Sequence, residues 1–231
     1  MRDYVIFFDI GHTLVTGADQ SPHRILGTRL HLPDEKIREV EEILMTFPGE
    51  ELNDVARILG SVIRNRSLEE IRHVLSQIWD DQIECVREVP GATCALESLK
   101  KRGYQLGVIS NIWHPFFLGF KKNCPYLLEL LDFFILSYRI GHKKPALDIY
   151  KIAVKSAGLP AHCCWMIGDS YEQDIEPAKQ VGYRTIWILN RPEREKSLLI
   201  ELLRGKKKRP DLIVESIDKI PDLLCEQGEI Q

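Results

Sequence analysis

Hydrophobic positions along this chain follow two patterns. Between residues 15 and 87 they recur at helical spacing; on either side they gather into short, unbroken runs. The run Tyr4 to Phe8 predicts a buried strand that ends on Asp9. From about Val89 onward, strand-like runs alternate with amphipathic helical patterns. The expected strands are Tyr104–Ser110, Asp132–Ser137, Cys163–Ile167, Arg184–Leu189 and Leu212–Val214. A helix opened by Pro90-Gly91 runs through Lys101 and is closed by Gly103; another spans Leu147–Ala157 and is closed by Gly158. Further helices are expected near Glu172–Val181, Glu193–Leu203 and Ile217–Cys225. Apolar runs without clean alternation imply strands covered on both faces, hence a parallel sheet with crossover helices.

Residues 15 to 87 show no convincing strand. Asp34 reads as a cap before Ile37, Val40, Ile43, Leu44 and Phe47, which share one helical face. Ser67 and Glu70 form a capping-box pattern before Ile71, Val74, Leu75, Ile78 and Trp79. A third helix fits between Glu50 and Asn65. Several helices in succession interrupt the strand–helix alternation and read as an insertion after the first strand.

A chain of 231 residues suffices for one α/β domain plus such an insertion. The net charge is −3, with acids and bases interspersed, which argues against nucleic acid or an anionic membrane as partner. The basic run Lys206-Lys207-Lys208-Arg209 lies between Gly205 and Pro210 and reads as a solvated loop. Six cysteines show neither metal-ligand spacing nor a disulfide framework. The adjacent Cys163 and Cys164 would face opposite ways along a strand, and His162 beside them reads as a strand-edge residue. A reducing, cytoplasmic setting is expected. The apolar run after Arg2 is short and ends in Asp9, unlike a signal peptide, and no apolar stretch is long enough to span a bilayer.

Four segments carry candidate chemistry. Asp9 ends the first strand and is followed by Gly11-His12-Thr13; an Asp there is either a turn former or a nucleophile held at the carboxyl edge of a sheet. Ser110-Asn111 ends a second strand. Lys144-Pro145, followed by Asp148-Ile149-Tyr150, opens a helix. Gly168-Asp169-Ser170 ends another strand, with Asp174 five residues beyond Asp169. In order and position, these segments resemble the four motifs of the haloacid dehalogenase (HAD) superfamily, over roughly residues 4 to 14 and 88 to 224. The resemblance implies an α/β fold with a Rossmann-like parallel sheet core formed by residues 1–14 and 88–231, and a helical cap formed by residues 15–87.

It also implies roles. Asp9 would attack phosphorus and become an aspartyl-phosphate. Mg²⁺ would be held by Asp9 and Asp169, by the backbone carbonyl of Gly11, and with the help of Asp174. Ser110 and the backbone amide of Asn111 would donate to the phosphoryl oxygens. Lys144 would stabilise developing charge. Thr13 would bond back within its turn, with a minor phosphoryl contact. The implied partner is a small phosphorylated molecule. Trp113, His114 and Phe116 either line its pocket or pack in the core.

The family's phosphatases carry a second Asp where this chain has Gly11. That carboxyl gives the leaving oxygen a proton, help worth about 10²–10⁴ in rate. Three function classes follow. One is a slow or selective Mg²⁺-dependent phosphatase in which His12, a cap residue or the substrate's own leaving group replaces the acid; His12 titrates in a suitable range, though a solvent-facing side chain is the plainer reading. The second is a phosphate-binding or regulatory protein with little turnover. The third transfers the phosphoryl group to an acceptor other than water. Dehalogenases and phosphonatases also lack this Asp. The former act without a metal, and the latter need a cap lysine, for which Lys36 is the one candidate between residues 15 and 87.

Overall fold

The computed structural model describes residues 4–225. The chain opens with β1 (Val5–Phe8) and β2 (Val15–Thr16) and then enters four helices. These are α1 (Pro22–Arg29), α2 (Asp34–Thr46), α3 (Leu52–Val62) and α4 (Leu68–Glu84). β3 (Arg87–Glu88), α5 (Ala92–Lys101) and β4 (Gln105–Ser110) follow, and then α6 (His114–Asn123), α7 (Pro125–Glu129), β5 (Phe133–Leu136) and α8 (Ser137–Ile140). The remainder comprises α9 (Leu147–Ala157), β6 (Cys164–Gly168), α10 (Glu176–Val181), β7 (Arg184–Ile188), α11 (Lys196–Leu203), β8 (Leu212–Val214) and α12 (Ile220–Leu224).

Six strands pair in parallel in the order β5-β4-β1-β6-β7-β8. The unbroken apolar runs are explained by cover on both faces. Ile6 and Phe8 pack on one side with Leu106, Val108, Trp165 and Ile167, beneath Ala95 and Leu99 of α5 and Leu224 of α12. Val5 and Phe7 pack on the other with Ile109 and Met166, beneath Ile149 and Ala153 of α9 and Ala178 of α10. All four β1 side chains are fully buried, each contributing about 1.5–3 kcal/mol through burial. Gly107 is required by this packing: a Cβ there would lie 2.8 Å from Phe7 Cε1.

From β1 the chain passes to β4 and β5 on one side, then returns to β6 on the other side of β1. The carboxyl ends of β4, β1 and β6 therefore stand together at the point where strand order reverses, which is where open α/β sheets form a crevice.

The helices α1–α4 are inserted between β2 and β3, an antiparallel pair with Val15 opposite Glu88 and Thr16 opposite Arg87. Their core gathers Leu26, Val40, Leu59, Ile71, Leu75 and Ile78 around Trp113 from the sheet domain. Charged contacts tie this insert to the sheet's loops. Lys143 reaches Glu41 at 3.1 Å and Glu42 at 3.0 Å, and Arg139 Nη2 donates to Glu50 at 3.0 Å.

Several local expectations need correction. Residues 15 to 87 do contain strand at both ends; β3 is exposed on both faces, so it leaves no hydrophobic signature. α1 went unpredicted because Pro22 opens it and it buries little beyond Leu26. α6 and α7 also lie outside the expected elements. Asp34 is the first helical residue, with Pro33 in the cap position; the capping box at Ser67 is formed, Glu70 N donating to Ser67 Oγ at 3.2 Å. Cys163 belongs to a short turn before β6. A wide helical turn over Tyr171–Ile175 precedes α10, and turns at Arg191–Glu195 delay α11 to Lys196. Among the described residues, no helix is long and apolar enough to cross a membrane.

Candidate active site

Asp9 follows β1 directly, and its amide donates to the Ile167 carbonyl at 2.8 Å, which fixes its backbone to β6. Its carboxylate Oδ1 accepts from Ser110 Oγ at 3.1 Å and from Lys144 Nζ at 2.6 Å. Lys144 Nζ also donates to Asp174 Oδ1 at 2.6 Å. The ammonium is 2% exposed. Burial alone would lower its pKa, but the charges of Asp174 and Asp9 outweigh burial and hold it above the ordinary lysine range. It is therefore a permanent cation between two acids.

Asn111 holds this lysine in place. Its Oδ1 accepts from the Lys144 amide at 2.7 Å, while its Nδ2 donates to the Lys144 carbonyl at 2.9 Å. One primary amide thus brackets one residue's backbone, a positioning role for the side chain that spacing did not disclose. Asp174 is fixed on its other oxygen by the Ser170 amide at 3.0 Å. A Cβ at Gly168 would lie 2.7 Å from Asp174 Cβ, so glycine is needed for that carboxylate to reach the site.

Asp169 follows β6 directly. Its Oδ2 accepts from Arg191 Nη2, and its carbonyl accepts from Trp187 Nε1 at 3.0 Å. Burial first, and then the Asp9 charge, raise its pKa, opposed by Arg191. Asp9, Asp169 and Asp174 each offer an oxygen within 4.8 Å of the others, a buried set of hard oxygen donors that could hold a metal ion. Burial likewise raises the Asp174 pKa, with Lys144 opposing and the two neighbouring carboxylates adding to it.

The turn after Asp9 is less satisfied. His12 adopts a left-handed φ of 57°, its amide donates to the Val15 carbonyl at 2.7 Å, and its carbonyl accepts from Asn190 Nδ2 at 2.8 Å. Burial, reinforced by Arg191, lowers the imidazole pKa below its usual 6.5. Thr13 is 1% exposed, and among the described residues its hydroxyl has no hydrogen-bond partner, so the expected bond back into the turn is absent. Gly11 has room: a Cβ there would meet only Asp9 Oδ2, at 3.9 Å.

A cavity of about 1140 Å³ opens above these groups, with Gly11, His12, Ser110 and Asn111 among its lining and α1 and α2 forming another wall. Trp113 and Phe116 line it while also packing in the insert's core. His114 does not; it is buried with Nδ1 3.1 Å from Tyr138 Oη. Lys36 also stands apart, paired with Glu39 at 2.7 Å and lining a separate surface hollow.

The haloacid dehalogenase-like hydrolase family model matches residues 6–188. The chain belongs to this family. It is 39% identical over 108 residues to a glyceraldehyde 3-phosphate phosphatase of Pyrococcus abyssi, over 45% of this chain and 43% of that protein. The chain thus aligns with less than half the length of that relative. Its fold resembles a HAD phosphatase from Thermococcus onnurineus (TM-score 0.59, 21% identity, 96% of this chain and 97% of the other). It resembles a 2-haloacid dehalogenase from Pseudomonas syringae equally well (TM-score 0.62, 20% identity, 98% and 100% coverage). The HAD fold alone does not choose between these reactions; the site chemistry must.

Sequence reading missed Arg191 within this family framework. Its signal was positional, being the first cation beyond the carboxyl end of β7, in the sheet that already supplies Asp9 and Asp169.

Proposed function

We propose that this chain is a Mg²⁺-dependent phosphatase acting on a small phosphorylated metabolite through an aspartyl-phosphate on Asp9. The observation that carries this reading is Asp9 itself. One carboxylate oxygen is clamped by Ser110 at 3.1 Å and Lys144 at 2.6 Å, beside a cavity large enough for a metabolite. Asp9 would attack phosphorus in line, and the bond to the leaving oxygen would break as the new one forms. Lys144, a fixed buried cation, stabilises the charge that develops. Ser110 and the Asn111 amide would hold phosphoryl oxygens, and the unpartnered Thr13 hydroxyl has a donor to spare for one. Asp9 and Asp169 would hold the ion, with the Gly11 carbonyl and Asp174 supporting it. Mg²⁺, when bound, neutralises charge between the approaching anions.

The helices between residues 15 and 87 act in this reading as the cap, whose α1 and α2 face the motif residues across the cavity. The phosphatase name of the 39% relative supports the reaction class. The phosphonatase alternative loses support, because Lys36 is paired with Glu39 at 2.7 Å and lines a separate surface hollow. The buried acid trio argues against a metal-free dehalogenase. Six unpaired cysteines suit a reducing cytoplasm.

Gly11 favours a second reading in which the aspartyl-phosphate forms but clears slowly or passes to another acceptor. Phosphate release from a panel of monoesters with Mg²⁺ separates the two, with Asp9→Asn as blank and Gly11→Asp alongside. Wild-type turnover above the blank is expected, and Gly11→Asp should exceed it by about 10²–10⁴. A persistent mass increase on Asp9 without release would establish the second reading. Inactivity of both proteins, with no such mass increase, would overturn the phosphoryl chemistry altogether.

A further inference from the structure

The reaction above makes no use of Arg191, which is paired with Asp169. Its Nη2 donates to Asp169 Oδ2, while Nε and Nη1 are buried without a hydrogen-bond partner among the described residues. Asp169 is itself 7% exposed and belongs to the cluster of carboxylate oxygens within 4.8 Å of one another. We propose that Arg191 is a tethered cation that competes with the divalent metal for Asp169 and thereby sets how tightly the site takes its ion. This rests on the reading of the acid trio as a metal site.

Three observations lead there. The first is charge. Asp9 and Asp174 share Lys144, whose position is over-determined by two ion pairs and the Asn111 bracket. Asp169 has Arg191 as its ion-pair partner. Without Arg191, three clustered carboxylates would face one ammonium, and a divalent ion would be held correspondingly harder. The second is the manner of attachment. A guanidinium committed to its place satisfies its fork of donors, whereas here two of its nitrogens are orphaned at a cost of buried polar groups. Its hold on Asp169 comes from that acid's charge, so a metal ion that takes the charge removes the reason for it to stay.

The third is access. Arg191 lies just beyond β7 in the loop whose Asn190 holds the His12 carbonyl at 2.8 Å and whose Arg194 lines the cavity. The Arg191 side chain is itself 26% exposed, so on displacement it need not be driven into the core. Lys144 has no such freedom, which separates the two cations of the site: one is built in, the other replaceable.

The test is Mg²⁺ binding by calorimetry, without substrate, to wild type, Arg191→Gln, Arg191→Lys and Asp169→Asn. Arg191→Gln should bind Mg²⁺ about tenfold more tightly than wild type, a change of about 1.4 kcal/mol. Arg191→Lys, shorter but still charged, should fall between them. The rise in melting temperature caused by Mg²⁺ should also be larger for Arg191→Gln than for wild type. Equal affinities in wild type and Arg191→Gln would overturn the inference while leaving the metal site standing. Weaker binding in Arg191→Gln would overturn it too, by showing that Arg191 orients Asp169 for the ion. No Mg²⁺ binding by wild type or Arg191→Gln would overturn the metal reading and this inference together, and undiminished binding by Asp169→Asn would do the same for Asp169.

Discussion

The two halves of the site differ in how far their polar groups are satisfied. Around Lys144 each group has its partner: Ser110 and Lys144 on Asp9, Lys144 and the Ser170 amide on Asp174, and the Asn111 amide on the Lys144 backbone. Around Asp169 and the turn after Asp9, the Thr13 hydroxyl and two Arg191 nitrogens are buried without partners, and Gly11 brings no side chain at all. Buried donors are normally paired, so an orphan marks strain or a missing ligand. The first half is a finished electrostatic unit. The second, in the proposed reaction, is the half that would receive the ion and the phosphoryl group.

Removing the centre of the finished half should have the largest effect. Lys144→Met would leave Asp9 and Asp174 as neighbouring buried carboxylates with their shared cation gone. Breaking a buried ion pair from one side costs about 3–5 kcal/mol, readable as a lower urea midpoint. A loss below about 1 kcal/mol would show that the acids protonate at little cost and that this half is not a stability element.

The unfinished half should respond in the opposite sense. Thr13→Val keeps the shape and removes an unpaired hydroxyl, so urea unfolding should be unchanged or slightly harder. Inorganic phosphate, the simplest probe of the phosphoryl site, should bind more weakly, because a hydrogen bond to a charged group is worth about 1.5–3 kcal/mol. Lost stability with unchanged phosphate affinity would place Thr13 in the first class and erase the contrast.

This contrast bears on what could be read beforehand. The sheet was legible because strands buried on both faces leave unbroken apolar runs, and the parallel rule then puts the residues after β1, β4 and β6 side by side. Those runs placed Asp9, Ser110 and Asp169 at strand ends, and the family resemblance brought them into one site. Lys144 and Asp174 lie outside those strands, and family spacing placed them. Arg191 carried only a positional signal, and its pairing with Asp169 depends on a loop conformation and not on a period. The same holds for the Asn111 side chain: its bracket on Lys144 is a matter of side-chain geometry across loops. The insert's helices showed through their amphipathic spacing, except α1, whose eight residues offer too short a stripe.

His12 provides the finest probe of the unfinished half. Burial, then Arg191, lower its pKa from 6.5, against the pull of Asp169 and Asp9, with Arg194 also lowering it. A lowered histidine pKa means that the unfolded chain binds the proton more readily. The stability this contributes is fully present above about pH 6.5 and is lost as pH falls through the window below it. The comparison protein is His12→Asn, because asparagine tolerates the left-handed φ of 57° at this position. Wild type should lose slightly more stability than His12→Asn as pH falls from about 6.5 to 5, and the gap between the two should stay constant above that range. Wild type gaining on the variant in acid would mean that Asp9 and Asp169 dominate the imidazole's surroundings and keep it protonated. His12 would then be a standing proton donor one residue from Gly11, where the proposed reaction lacks its acid, instead of a neutral group better suited to accept a proton.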